Sequence, residues 1–102
     1  MTDHYDRQGN LISFHKWAEL HADTEYVKVA RDEFEIEGEE IRVSTAWLGI
    51  NHNFTGSGPP IIFETMVFGG EHDEWMWRYT TETEAKAGHV IVTEGIVKKG
   101  PK

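Results

Sequence analysis

Glu64 is the residue of this chain most open to a chemical reading, because it stands in the run Ile61–Phe68, which is otherwise apolar except for Thr65. A carboxylate in such a strand either pairs with a cation or is pushed toward a neutral pKa, where it can exchange protons with a substrate. His52 lies in the polar stretch before it and could reach the mouth of such a site; His89 is the other histidine that could serve. The plainer alternative is a sheet edge or an ion pair with Arg78 or Arg42. His52, Glu64, His72, Asp73 and His89 are also metal-ligand types, but their spacing lacks an H-E-x-x-H or close H-x-H pair, so no metal is assigned. No cofactor is assigned either: no glycine-rich phosphate loop opens a helix, and no G-x-S-x-G elbow presents a serine.

Aromatic rings offer a second chemistry, that of recognition. Trp75, Trp77 and Tyr79 alternate with Met76 and Arg78, so one side of a strand carries three rings that serve either as core or as a platform for a planar ligand or a protein. Trp47 precedes and Phe54 lies among the loop formers Asn51 to Pro60, where the amides of Gly56-Ser57-Gly58 could accept an anion. On this reading Trp47, His52, Asn53, Phe54, Glu64, Arg78 and Tyr79 form a surface that grips a protein or a small nucleotide-like ligand without transforming it. Self-association could complete that surface.

The elements that must position these groups follow from local signals. Tyr5 to Ile12 reads as a small hairpin turning at Gly9. Ser13 is an N-cap, with Ile12 and Trp17 placed as a hydrophobic staple, for a helix over Phe14–His21. Its Phe14, Trp17, Ala18 and His21 share a face expected to pack on a sheet. Phe34-x-Ile36 and Ile41-x-Val43 flank Glu37-Gly38-Glu39-Glu40 as a hairpin. A II′ turn at Gly38-Glu39 would set Ile36 opposite Ile41, Phe34 opposite Val43 and Glu35 opposite Arg42. Tyr26-Val27-x-Val29 has the opposite parity, which predicts a bulge near Ala30 to Asp32. Val43–Ile50 reads as a central strand, Ile61–Phe68 as its neighbour and Trp75–Tyr79 as the last. Thr81 and Glu84 form a capping box for a C-terminal helix with Ala85, Gly88, Val92 and Ile96 on one stripe. The β-branched run after His89 leaves a strand as the alternative there. Lys98 and Lys99 suit the helix end, which Gly100-Pro101 stops.

The expected fold is therefore α+β: a single domain over residues 1–102, with an antiparallel sheet of four to five strands, a short N-terminal helix and a C-terminal helix. A chain of 102 residues with 12% aromatic content supports one core and not a second folding unit. The absence of cysteine removes disulfides and thiolate zinc sites and suits a cytoplasmic setting. Neither a secretory leader nor a membrane span is expected. A net charge of −8 disfavours direct contact with nucleic acid. The same acidity in Asp32–Glu40 could imitate a phosphate track and block a nucleic-acid-binding protein.

Thr45-Ala46-Trp47-Leu48-Gly49, then His52, Phe63-Glu64-Thr65-Met66-Val67-Phe68-Gly69-Gly70, Arg78-Tyr79, and Thr81-Glu82-x-Glu84-Ala85-x-x-Gly88-His89 together resemble a family of small uncharacterised proteins encoded by phages and prophages, many from actinobacterial phages. The likeness covers most of the chain after Tyr5. It departs from the family pattern in the more β-branched segment after His89 and the longer hairpin at Phe34–Glu40. The resemblance implies no activity and no catalytic residue. It implies a setting: an accessory protein in the bacterial host's cytoplasm that acts on host machinery or defence by binding. The alternatives are a small enzyme using Glu64 with His52 or His89, and the acidic mimic.

Overall fold

In the computed structural model, which describes residues 3–98, the chain opens with two short strands, β1 (His4–Tyr5) and β2 (Leu11–Ile12), paired antiparallel. The Asp6 carboxylate closes their turn by accepting from the amides of Gln8 and Asn10, with Gly9 at φ 88°. Helix α1 (Phe14–His21) starts where the Ser13 hydroxyl accepts from the Lys16 amide at 3.1 Å, as the N-cap predicts. Its inward face differs from expectation. Trp17 donates from Nε1 to the Leu48 carbonyl at 3.0 Å, which turns Trp17 and Leu20 toward the core and leaves Phe14 and Ala18 exposed.

Asp23 then caps a single helical turn, α2 (Thr24–Val27), where the sequence suggested that a strand had begun. Strands β3 (Lys28–Ile36), β4 (Glu39–Trp47), β5 (Phe63–Phe68) and β6 (Met76–Tyr79) form one antiparallel sheet in that order. β4 is central, as expected, and buries Ile41, Val43, Thr45 and Trp47 on one side. The predicted irregularity in β3 lies slightly earlier, between Lys28 and Ala30.

The β3–β4 hairpin exists, but its register is corrected. The turn residues are Glu37 and Gly38, with φ 52° and 84°, so both central positions are left-handed, as a I′ turn requires and a II′ turn does not. Ile36 consequently lies opposite Glu39, Phe34 opposite Ile41, Glu35 opposite Glu40 and Glu33 opposite Arg42. The I′ turn matches the right-handed twist of the strands, and that gain outweighs setting Glu35 beside Glu40 at an exposed hairpin end.

Helix α3 (Glu82–Val90) begins with the capping box, in which Glu84 takes the Thr81 amide and the Thr81 hydroxyl takes the Glu84 amide. It lies across all four strands on the buried side of the sheet. The helix continues as a π-helical segment, Ile91–Val97, which settles the helix-or-strand alternative: the β-branched residues stay helical because Val92 and Val97 pack on Ile41, Val43 and Val67. The inward stripe is Ala85, His89, Val92, Thr93 and Val97, with Gly88 against Tyr79 and Ile96 only half-buried. Lys99, Gly100 and Pro101, read as the helix stop, lie outside the described residues. No helix among the described residues is long and apolar enough to cross a membrane.

Arg7 ties the opening hairpin to α3. Its Nε and Nη2 donate to the two carboxylate oxygens of Glu82 at 3.0 and 2.6 Å, and Nη1 donates to the Tyr26 carbonyl. The Arg7 hydrogen bonds hold the Glu82 carboxyl below the usual carboxylate range. A depressed carboxylate pKa contributes stability that is fully present above the unfolded value, about 4.3, and is lost as pH falls through the lower folded value. Arg7→Gln should therefore flatten the acid limb of the stability curve and cost about 1 kcal/mol at neutral pH. Urea midpoints measured across the acid range check both effects.

Candidate functional site

The polar groups that converge most closely lie between α3 and the sheet. Thr45 and Thr65 sit opposite one another on β4 and β5, in phase with Val43, Trp47, Phe63 and Val67, so their hydroxyls face the core. The two oxygens are 2.5 Å apart. His89, brought in by α3, places Nδ1 2.6 Å from Thr45 Oγ1 and Nε2 2.7 Å from an Asp32 carboxylate oxygen on β3. At the other side the Tyr79 hydroxyl on β6 donates to Thr65 at 3.0 Å. A relay of five side chains thus touches every strand of the sheet and the helix over it.

One arrangement of protons satisfies the whole relay. Tyr79 donates to Thr65, Thr65 to Thr45 and Thr45 to an unprotonated Nδ1, while Nε2–H donates to Asp32. Each threonine hydroxyl then both accepts and donates. Burial raises the Tyr79 pKa, with its hydrogen bond to Thr65 acting in the opposite direction. The Asp–His–Thr order has the form of a nucleophile's activating chain, but the geometry excludes that use: Thr45 is fully buried, so no carbonyl or phosphorus centre can approach its oxygen. The relay locks α3 to the sheet.

Sequence reasoning singled out His89 and Tyr79 and missed Asp32, Thr45 and Thr65. The signal for the threonines was present, as a hydroxyl residue in step with wholly apolar positions on two adjacent strands. Asp32 carried no local signal.

The residues expected at a recognition surface divide into three groups. Trp47 and Tyr79 belong to the interior side. Trp47 is fully buried, donates from Nε1 to the Tyr5 carbonyl and meets Tyr26 edge-on, because the opening hairpin, α1 and α2 close over that end of the sheet. This corrects its expected place on the surface. Glu64 and Arg78 lie opposite one another on β5 and β6 and pair at 3.1 Å, which is the plainer reading of Glu64. They point away from Thr65 and hence from His89, so a Glu64–His89 acid/base pair does not form. Trp77 and Tyr79 are half-buried on the α3 side and Trp75 is 49% exposed, so the three rings do not act as one platform.

His52, Asn53 and Phe54 remain together on the loop 51–60. This loop is internally tied. Asn51 Oδ1 accepts from the amides of Asn53 and Ile61, and Asn53 Nδ2 donates to the carbonyls of Ser57 and Pro59 at 2.9 and 2.8 Å. Asn53 Oδ1 accepts from the Thr55 amide and hydroxyl, so its side-chain capacity is spent inside the loop. His52 donates from Nδ1 to the Ile50 carbonyl at 2.8 Å, which leaves Nε2 as an acceptor. Phe54, 83% exposed, stands at the tip 5.9 Å from the His52 ring. Among the described residues no three metal-ligand side chains converge; His72 instead packs edge-on against Trp75.

Comparison with protein-family models, with curated proteins and with solved structures finds no match. The functional reading therefore rests on the geometry of this chain and on the resemblance of its sequence to small phage proteins.

Proposed function

We propose that this chain is a non-catalytic accessory protein of the phage type that docks on a host protein through the loop 51–60, in the host cytoplasm. Phe54 carries the reading: a ring 83% exposed on a loop tied at both ends by Asn51 and Asn53. An apolar ring held out by a stiff backbone loses little conformational entropy on docking, and such rings act as anchors that fill a pocket on a partner. The resemblance to small phage proteins supplies the host setting. A nucleotide-like ligand fits less well, since stacking would need the faces of Trp47 and Tyr79, and these are engaged by Tyr26 and Gly88. Catalysis by Glu64 fits less well too, since Arg78 neutralises it on the sheet face opposite His89.

Phe54→Ala should leave the thermal midpoint unchanged, because the ring makes no core contact, and should weaken capture of the host protein by roughly 100-fold. Wild-type, Phe54→Ala and Phe14→Ala proteins, each immobilised and exposed to host lysate, provide the comparison by mass spectrometry of what is retained. Phe14 is an exposed ring on α1, and its loss should change nothing. Retention of the same proteins by wild type and Phe54→Ala would remove the loop from the reading.

A further inference from the structure

Among the described residues α3 covers only one face of the four-stranded sheet; the second is bordered at its Lys28 end by His21, Thr24 and Glu25. Cross-strand register places Arg31, Ser44, Met66 and Met76 in one row across this face, with Glu33, Arg42 and Phe68 in the next. None of these residues is buried; Phe68 and Met76 are 37% and 43% exposed, respectively. The face is divided in two. The β5–β6 half carries Met66, Phe68 and Met76 beside the Glu64–Arg78 pair, with the Arg42 guanidinium over the Phe68 ring at 4.4 Å. The β3–β4 half is charged and polarised along the strands. At the hairpin end it holds Glu33, Glu35 and Glu40 against Arg42, and at the far end Lys28 and Arg31, with Glu25 beside Lys28 at 3.6 Å and Arg31 paired within the chain to Glu33 at 2.8 Å, so a second copy exchanges these partners rather than finding free ones.

We infer that this face is a self-association surface on which two copies pack sheet against sheet. The charge pattern selects the symmetry. A twofold axis lying between the sheets and running across the strands reverses strand direction and keeps β3 over β3. Glu35 and Glu40 of each copy then meet Lys28 of the other, Glu33 meets Arg31, and the Met66–Phe68–Met76 halves close on each other. An axis running along the strands would instead set each charged β3–β4 half over the Met66–Phe68–Met76 half of the other copy, leaving carboxylates against apolar side chains with no cation to meet them. The interface is isologous, so every complementary contact occurs twice. Each copy carries −8 overall, and this uniform repulsion favours a second copy only where local complementarity offsets it.

The reciprocal charge swap is the test. One variant carries Lys28→Glu and Arg31→Glu, the other Glu33→Lys, Glu35→Lys and Glu40→Lys; all five positions are exposed, so both variants should fold and melt like wild type. In sedimentation velocity from micromolar to submillimolar concentration, wild type should show a concentration-dependent dimer and each variant alone should stay monomeric. An equimolar mixture of the two should dimerise again, since a predominantly acidic half now meets a predominantly basic one. Wild type that stays monomeric throughout, a dimer that survives both swaps, or a mixture that does not recover association would each overturn the assignment. The Phe54 comparison is independent of these outcomes because the loop lies outside this face.

Discussion

Thr45→Val should destabilise the fold by about 2–4 kcal/mol, although it changes almost no volume. The substitution removes the one hydroxyl that both donates to His89 Nδ1 and receives from Thr65, 2.6 and 2.5 Å away. Two buried groups lose their partners at once, and neither reaches water, since Thr65 is fully buried and His89 is 3% exposed. The asymmetry is the physical point: a hydrogen bond contributes about 1 kcal/mol net, whereas an orphaned buried polar atom costs its full desolvation. Asp32→Asn should cost much less, because the amide oxygen still accepts from Nε2–H, although without charge assistance. Thr45→Val combined with His89→Leu should cost less than the sum of the two single changes, since the pair is then replaced by apolar groups. Urea denaturation of wild type, the two single variants and the double variant gives the cycle, with Asp32→Asn measured beside it. A Thr45→Val protein as stable as wild type would show that the relay does not hold α3 in place.

Gly88→Ala and Gly95→Ala, the same substitution in one continuous helical stretch, should change stability in opposite directions. Alanine ordinarily stabilises a helix by about 1 kcal/mol over glycine. At Gly95 an added methyl meets nothing within 4 Å, so that gain is expected in full. At Gly88 the methyl collides with the Tyr79 ring, at its Cε1, Cζ and hydroxyl oxygen. That ring is rigid and its hydroxyl is anchored on Thr65 at 3.0 Å, so relief requires moving α3 off the sheet or breaking the relay at its end. The net expectation is a loss of about 1–3 kcal/mol, from overpacking set against the propensity gain. Thermal melts read both signs. In a Tyr79→Leu background the Gly88→Ala penalty should shrink; an undiminished penalty would mean that the ring is not its cause.

Both effects arise where α3 crosses the strands, and this placement also organises the proposed functions. Covering one face with α3 leaves the other free to meet a second copy. Closing the Trp47 end with the opening hairpin, α1 and α2 consumes the rings that a small planar ligand would need. Outward at that end stand the tied loop with its Phe54 ring and, on the opening hairpin and α1, Leu11 and Phe14.

The chain's own sequence determined those features that a few neighbouring residues decide. Ser13 and the Thr81–Glu84 box begin helices where they were read because an N-cap needs only an amide three positions away. The Gly9 reversal, the β3–β4 hairpin and the centrality of β4 follow likewise from alternation and turn chemistry within a short window. Glu64 was legible as an anomaly, and Arg78 stood among its possible partners. Only the tertiary structure decided between them, by the register that sets β6 beside β5. It alone made Trp47 interior, by folding α1 and α2 over it, and gave His89 an Asp32 partner 57 residues away. Periodicity says which residues share a face. Which face is covered, and by what, depends on where a helix distant in sequence gains most by landing, and that free energy belongs to the assembled chain.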